Sequence, residues 1–189
     1  MARLLLGFSW FRWAGALLLG GLVACSSDPR AGQYVGDLIT ATDFEDLAGW
    51  GADVAALTRE HAHSGRFATF VSPEREFSLT YHLPLREASV HTLKAVEVEA
   101  WVYLPSDKAN AALTVQVFRP AGSSEAAPLY TEPLHLLAQV HEYGKWQRVH
   151  KVFTLPAGLP PEADLRLYLW RDGSPEPVYL DDLTVKARE

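Results

Sequence analysis

The run Val96-Glu97-Val98-Glu99-Ala100-Trp101-Val102-Tyr103 decides the fold. Small aliphatic residues hold every even position, and charged or aromatic residues every odd one. Such a series stays on two separate faces only in a strand, where successive side chains point to opposite sides. Pro105 ends the pattern, since proline cannot donate to a ladder. The same period returns in Leu165-Arg166-Leu167-Tyr168-Leu169-Trp170 before Asp172-Gly173, in Leu113 to Phe118 before Pro120, and in Phe77 to Leu83 before Pro84. Leu38–Phe44, Phe67–Val71, Gln147–Leu155 and Val178–Val185 are four further strand-like segments. Eight segments with turn signals between them, and no stretch of helical period, predict an all-β antiparallel β-sandwich. Pro133–Tyr143 satisfies both a short helix and a strand. Pro120–Pro133, with Gly122-Ser123-Ser124 inside it, reads as a loop.

Ahead of the strands, Arg3 and Arg12 precede an apolar block from Trp13 to Ala24, and Leu22-Val23-Ala24 leads into Cys25, the one cysteine of the chain. This is the layout of a secretory leader. The Leu-Val-Ala-Cys ending closely resembles the lipobox of bacterial lipoproteins. The resemblance implies a signal peptide over 1–24, a lipidated Cys25, and a tether running to residue 36 ahead of a domain over 37–189. It also implies an address: a lipid-anchored protein of the cell envelope, whose Ser26 in place of aspartate favours the outer membrane, in periplasmic or surface-facing orientation. Two acyl chains, at about 0.8 kcal/mol per buried methylene, make such an anchor effectively permanent. An uncleaved membrane span fits less well. The apolar block is twelve residues long, against about 20 for a span, and lengthening it would place Arg12 in hydrocarbon.

The leader holds two arginines and no acid, so the net charge of −6 becomes −8 without it. An acidic domain with no basic run excludes nucleic acid as the expected partner. With Cys25 acylated, neither a disulfide nor a thiolate zinc site is available. The 165 residues after the leader suffice for one domain with a full core.

The order Asp43-Phe44-Glu45, Gly49-Trp50, His63-Ser64-Gly65, Ala100-Trp101-Val102-Tyr103, Trp146, Phe153-Thr154-Leu155-Pro156 and Leu180-Asp181-Asp182-Leu183 resembles the galactose-binding-like jelly rolls. Among them it is most similar to CenC-type carbohydrate-binding modules. The likeness covers about residues 38–187 and implies a jelly roll that binds poly- or oligosaccharide without cleaving it. It further implies a structural Ca²⁺ joining the chain ends, with Glu45, Asp181 and the Ser64-Gly65 turn as its ligands. Two carboxylates and loop carbonyls suit an ion that takes six to eight oxygens. The competing role for Asp181 is to accept hydrogen bonds from loop amides. Asp182 matches a position the family varies freely.

If the aliphatic series faces the core, Trp101, Tyr103, Tyr168 and Trp170 all point away from it, joined by Arg166, Gln116 and Glu99, and by Phe118 if its strand shares the sheet. Flat rings among amide, guanidinium and carboxylate groups are what a sugar's C–H faces and hydroxyls require. Periodicity also leaves open that the aromatic series packs inward, and that an aromatic face docks a protein partner, as in an envelope interaction protein or adhesin. Trp50 and Trp146, near turns, are expected to close the ends of the core. His61-Ala62-His63 has no third ligand in sight and reads as loop. An enzyme is not expected: there is no Gly-x-Ser-x-Gly elbow, phosphate loop or His-Glu-x-x-His segment. Glu97 and Glu99 sit on one strand face rather than across a cleft.

Overall fold

The computed structural model describes residues 38–47, 50, 53–120 and 127–189. The expected leader, Cys25 and the tether to residue 36 lie outside the described residues. The chain divides into two units, Met1–Gln33 and Tyr34–Glu189, and every described residue belongs to the second. Its strands are β1 (Leu38–Thr42), β2 (Leu57–Thr58), β3 (Ala68–Val71), β4 (Tyr81–Pro84), β5 (Ala95–Tyr103), β6 (Ala112–Phe118), β7 (Tyr130–His135), β8 (Trp146–Thr154), β9 (Asp164–Trp170) and β10 (Val178–Arg188). Among the described residues, helical structure is limited to the four-residue α1 (Leu85–Ala88) and 3₁₀ turns at Val54–Ala56 and Leu136–Ala138.

Two sheets form the sandwich. One runs β2-β3-β10-β5-β8, with β1 also on β10; the other runs β4-β9-β6-β7. All pairings are antiparallel. Each of the eight expected segments contributes a strand, and β2 and β7 are added. Strand β7 begins at Tyr130, inside the expected loop, and carries Pro133 opposite Thr114. A sheet tolerates proline at an edge, and β7 is one. The ladder of β4 covers only the end of Phe77–Leu83; upstream the pairing is irregular, with the Ser78 N–H donating to the Leu169 carbonyl at 3.0 Å while the Leu169 N–H goes to Ser78 Oγ at 2.9 Å.

The core is the aliphatic series. Val96, Val98, Ala100 and Val102 of β5 are buried against Leu113, Val115 and Val117 of β6 and Leu165, Leu167 and Leu169 of β9. Phe44 enters it from a backbone at φ +59°, a turn held by the Phe44 N–H donating to Thr42 Oγ1 at 2.9 Å. Trp50 closes this end as expected, edge-on to Phe44 at 5.4 Å and against Tyr81 at 5.2 Å. At the β7–β8 margin the sheets are joined by charge. Lys151 Nζ lies 2.8 Å from Glu132 Oε1 and over the Phe153 ring, while the Tyr130 hydroxyl donates to the same carboxylate. Burial and that carboxylate push the Tyr130 phenol above its usual range.

Strand β10 is the spine, pairing with β1, β3 and β5. Its register shifts between Asp181 and Thr184, and Asp182 stands at φ +46°. Such a bulge adds one residue to a strand and resets its alternation. Val178 and Leu180 face the core before it; Leu183, Val185 and Ala187 face the core after it.

Phe153 is fully buried whereas its neighbour Val152 is 46 % exposed. Truncating Phe153 to alanine is expected to lower unfolding free energy in urea by about 3–5 kcal/mol, and Val152→Ala by no more than about 0.5 kcal/mol. Equal effects would contradict this facing of β8.

Candidate functional site: two aromatic faces

On the outer face of the six-stranded sheet, Tyr103 of β5 lies in register between Tyr179 of β10 and Trp146 of β8. The connection 59–67 folds over these rings. The His63 imidazole stacks on Trp101 at 4.0 Å and 15°, and His61 stacks on Tyr103 at 4.3 Å and 19°. Trp146 meets Tyr103 and His63 at steep angles, and the Tyr179 hydroxyl donates to Glu60 at 2.9 Å.

The β10 bulge holds this connection down. Asp181 is fully buried. Its Oδ2 accepts the His63 and Ser64 N–H groups at 2.7 and 3.0 Å, and its Oδ1 the Asp182 N–H at 2.7 Å. Burial pushes the Asp181 carboxyl up to about 6, although these N–H groups pull the other way. Asp182 takes the side chains, accepting from His63 Nδ1 and, at 2.8 Å, from Ser64 Oγ. From the other end of the chain, Glu45 Oε1 accepts the Arg66 and Phe67 N–H groups at 2.6 and 2.7 Å. The Arg66 amide, chiefly, keeps the Glu45 carboxyl below its usual range. Gly65 sits between these anchors at φ +58°, where a Cβ would lie 2.6–2.8 Å from the Glu45 side chain.

The four-stranded sheet carries the other rings. Across its outer face Tyr168 flanks Thr114, which faces Pro133, and Arg166 flanks Gln116, which faces Thr131. Phe77, 47 % exposed, stands edge-to-face with Tyr168 at 5.5 Å. Trp170 Nε1 donates to Glu76 at 3.2 Å. The Arg166 guanidinium covers Phe118 at 4.3 Å and pairs with Asp164 at 2.7 Å, and Gln116 Nε2 donates to Thr131 at 3.2 Å. Beside these groups runs a groove of about 660 Å³ lined by Thr80, His82, Arg119, Glu162, Asp164 and Arg166.

The rings expected on one face are therefore split. Trp101 and Tyr103, with Glu99, lie outside one sheet; Tyr168, Trp170, Arg166 and Gln116, with Phe118, lie outside the other. All point away from the core, as alternation requires. Alternation does not say which strands share a sheet, and β5 pairs with β10 and β8 while β9 pairs with β6 and β4. Glu99 is paired with Arg148. Trp146 belongs to the covered cluster, not to an end of the core, because its even position on β8 points outward. His61, His63 and Asp182 form the lid and its latch, a role not assigned from sequence. Their signal was spacing: two histidines at i and i+2 match the outward rings at 101 and 103.

The expected calcium ligands do come together in pairs, Asp181 with Ser64 and Glu45 with the backbone after Gly65. Their carboxylate oxygens, however, face N–H donors. A cation there would have to displace the amides of His63, Ser64, Arg66 and Phe67, so this donor set does not fit calcium as arranged. Among the described residues no three His, Cys, Asp or Glu side chains cluster as a metal site.

The family model described as a carbohydrate binding domain matches residues 36–176. No curated protein sequence matches the chain. The fold is similar to the CBM22-1 xylan-binding domain of Paenibacillus barcinonensis Xyn10C, at 20 % identity and TM-score 0.50, over 82 % of this chain and 96 % of that one. It is also similar to the CBM22-2 xylan-binding domain of the same enzyme, at 16 % identity and TM-score 0.51, over 79 % and 99 %. Against the Clostridium thermocellum Xyn10B CBM22-1–GH10 modules complexed with xylohexaose, the identity is 15 % and the TM-score 0.52, over 81 % of this chain and 29 % of that one.

Two measurements test this geometry. Gly65→Ala is expected to cost at least about 1–2 kcal/mol through its left-handed backbone alone, read as a lowered urea midpoint. Melting in EDTA and in millimolar calcium is expected to give midpoints within about 1 °C, whereas a rise of about 4 °C or more, the scale of 1 kcal/mol of linkage, would establish a calcium site.

Proposed function

Because the chain belongs to the family of carbohydrate-binding domains, we propose that it holds a polysaccharide, without cleaving it, on the outer face of its four-stranded sheet. One contrast carries the choice of face. On the six-stranded sheet the flat sides of Trp101 and Tyr103 already stack on imidazoles. On the four-stranded sheet, exposed Phe77 and half-buried Tyr168 sit among Gln116, Thr131 and Arg166, beside an open groove. Ring faces bind the apolar side of a sugar, and the guanidinium, amide and hydroxyl groups bind its edge. Such a site needs rigid spacing rather than a reactive group, and two hydrogen-bonded sheets supply it.

The ligand class to try first is xylan, the polymer named for the similar modules. The leader reading completes the proposal. With Cys25 acylated after removal of 1–24, the domain is a lipoprotein of the cell envelope, at the outer membrane, holding glycan near the cell.

Affinity electrophoresis in gels containing xylan and other wall polysaccharides tests the site. Tyr168→Ala and Arg166→Ala are each expected to weaken retardation about tenfold, the loss of about 1.4 kcal/mol. Trp101→Ala is expected to leave affinity within about twofold and to lower the melting midpoint instead, since its ring packs under the lid. Failure of the wild type to be retarded by any plant, algal or bacterial wall polysaccharide would overturn the sugar reading. Loss of binding in Trp101→Ala alone would move the site to the other face.

A further inference from the structure

We infer that the end of the sandwich where the described chain begins lies against a phospholipid bilayer. The inference rests on the lipid-anchor reading of Cys25 and adds an orientation to it. Strand register fixes which residues share that end. Leu38 pairs with Lys186, Arg188 with Ala95, and Ala95 with Thr154. The Lys94 N–H donates to the Arg188 carbonyl at 2.9 Å, and the Leu155 N–H to the Lys94 carbonyl at 2.8 Å. From the other sheet the Tyr81 hydroxyl donates to the Ile39 carbonyl at 3.4 Å. Leaving β4, the chain is tied to the connection before β9 by Leu85 N–H to Ala163 O and Arg86 N–H to Pro161 O, both 2.8 Å. Connections 85–94 and 155–163 therefore meet beside the entry to β1.

The point of entry favours this end. Twelve residues lie between Cys25 and Leu38, and the far end of β5 lies roughly 27 Å further from that entry.

The surface there has interfacial chemistry. Val90 is 94 % exposed, the most exposed large apolar side chain among the described residues. Next to it the two connections enclose a groove of about 820 Å³ whose lining combines Leu93, Leu155 and Leu159 with Arg86, His91 and Lys94. Of the nearby acids, Glu87 lies 3.5 Å from Arg86, Glu189 accepts from Ser89 and lies 4.0 Å from His91, and Glu162 lines the groove of the four-stranded sheet instead. Apolar tips flanked by lysine and arginine suit the boundary between acyl chains and headgroup phosphates. A single projecting valine gives a partner protein little shape to match, whereas a bilayer needs none.

Acylation blocks the only native thiol, so Val90→Cys in the lipidated full-length protein provides one site for an environment-sensitive NBD label. Leu137→Cys is the control; it follows Leu136, whose N–H donates to Ala111 at the opposite end of the four-stranded sheet. In vesicles of phosphatidylethanolamine and phosphatidylglycerol, the label at 90 is expected to brighten about twofold, shift to the blue, and be quenched by headgroup-depth nitroxide lipids, while the label at 137 stays as in detergent-free buffer. Equal, water-like emission at both positions in a protein whose Cys25 is blocked would overturn the orientation alone. A free Cys25 thiol in the protein purified from membranes would overturn the anchor and this inference with it. Brightening at 90 in native membranes but not in pure lipid would assign the surface to a protein and overturn the bilayer.

Discussion

The extra residue in β10 is the constraint on which the site geometry depends. A strand that kept strict alternation from Val178 to Arg188 could not bury Leu180 and also Leu183. The bulge allows both, and it leaves Asp181 and Asp182 together on the outer side, where an ordinary strand would present one residue per two. One carboxylate then takes the backbone of 63–64 and the other their side chains. A buried carboxylate without partners would cost several kcal/mol; here three N–H groups meet Asp181, so the desolvation penalty shows mainly as a carboxyl that is hard to ionise. The lid and the bulge stabilise each other.

The two outer faces of the sandwich diverge because of that latch. Both carry large rings among polar neighbours, and in composition they are nearly interchangeable. Trp101 and Tyr103 lose their free faces to His63 and His61, so their contribution goes to packing. On the four-stranded sheet the ordered contacts of Tyr168 and Arg166 come from the ring edge of Phe77, from Phe118 beneath and from Asp164 alongside. These hold the side chains in place without roofing the groove, and positions fixed before binding reduce the entropy lost on binding.

Local patterning made the strands legible. Val96 to Tyr103 and Leu165 to Trp170 read correctly as strands with aliphatic residues inward, because burial and pleat are properties of a few consecutive residues. The assignment of Trp101 and Tyr168 to one surface was not recoverable, because sheet membership is decided by pairings between strands far apart in sequence: Trp101 with Asp181, Tyr168 with Thr114. Pro133 illustrates a related limit. It signals a loop by itself, and only its place on an edge strand makes it acceptable in a ladder. The His61-Ala62-His63 segment looked featureless for the same reason, since its partners lie about 40 and 120 residues away.

The proposed lipid anchor and the proposed glycan site also bear on each other. The groove beside Arg166 reaches the end marked by Leu38, Lys94 and Arg188, since Glu162 and Asp164 line it, whereas Tyr168, Trp170 and Phe77 stand on the outer face toward the opposite end. With that end toward a membrane, the strands of the four-stranded sheet run away from the surface and their outer face opens sideways. A long glycan can then lie across the flank without having to end in a pocket, and the bilayer excludes only one direction of approach. A site built wholly on that end, between connections, would instead compete for space with the proposed anchor. The proposed ring site on a rigid sheet and the proposed attachment at an end are thus compatible demands on one small domain.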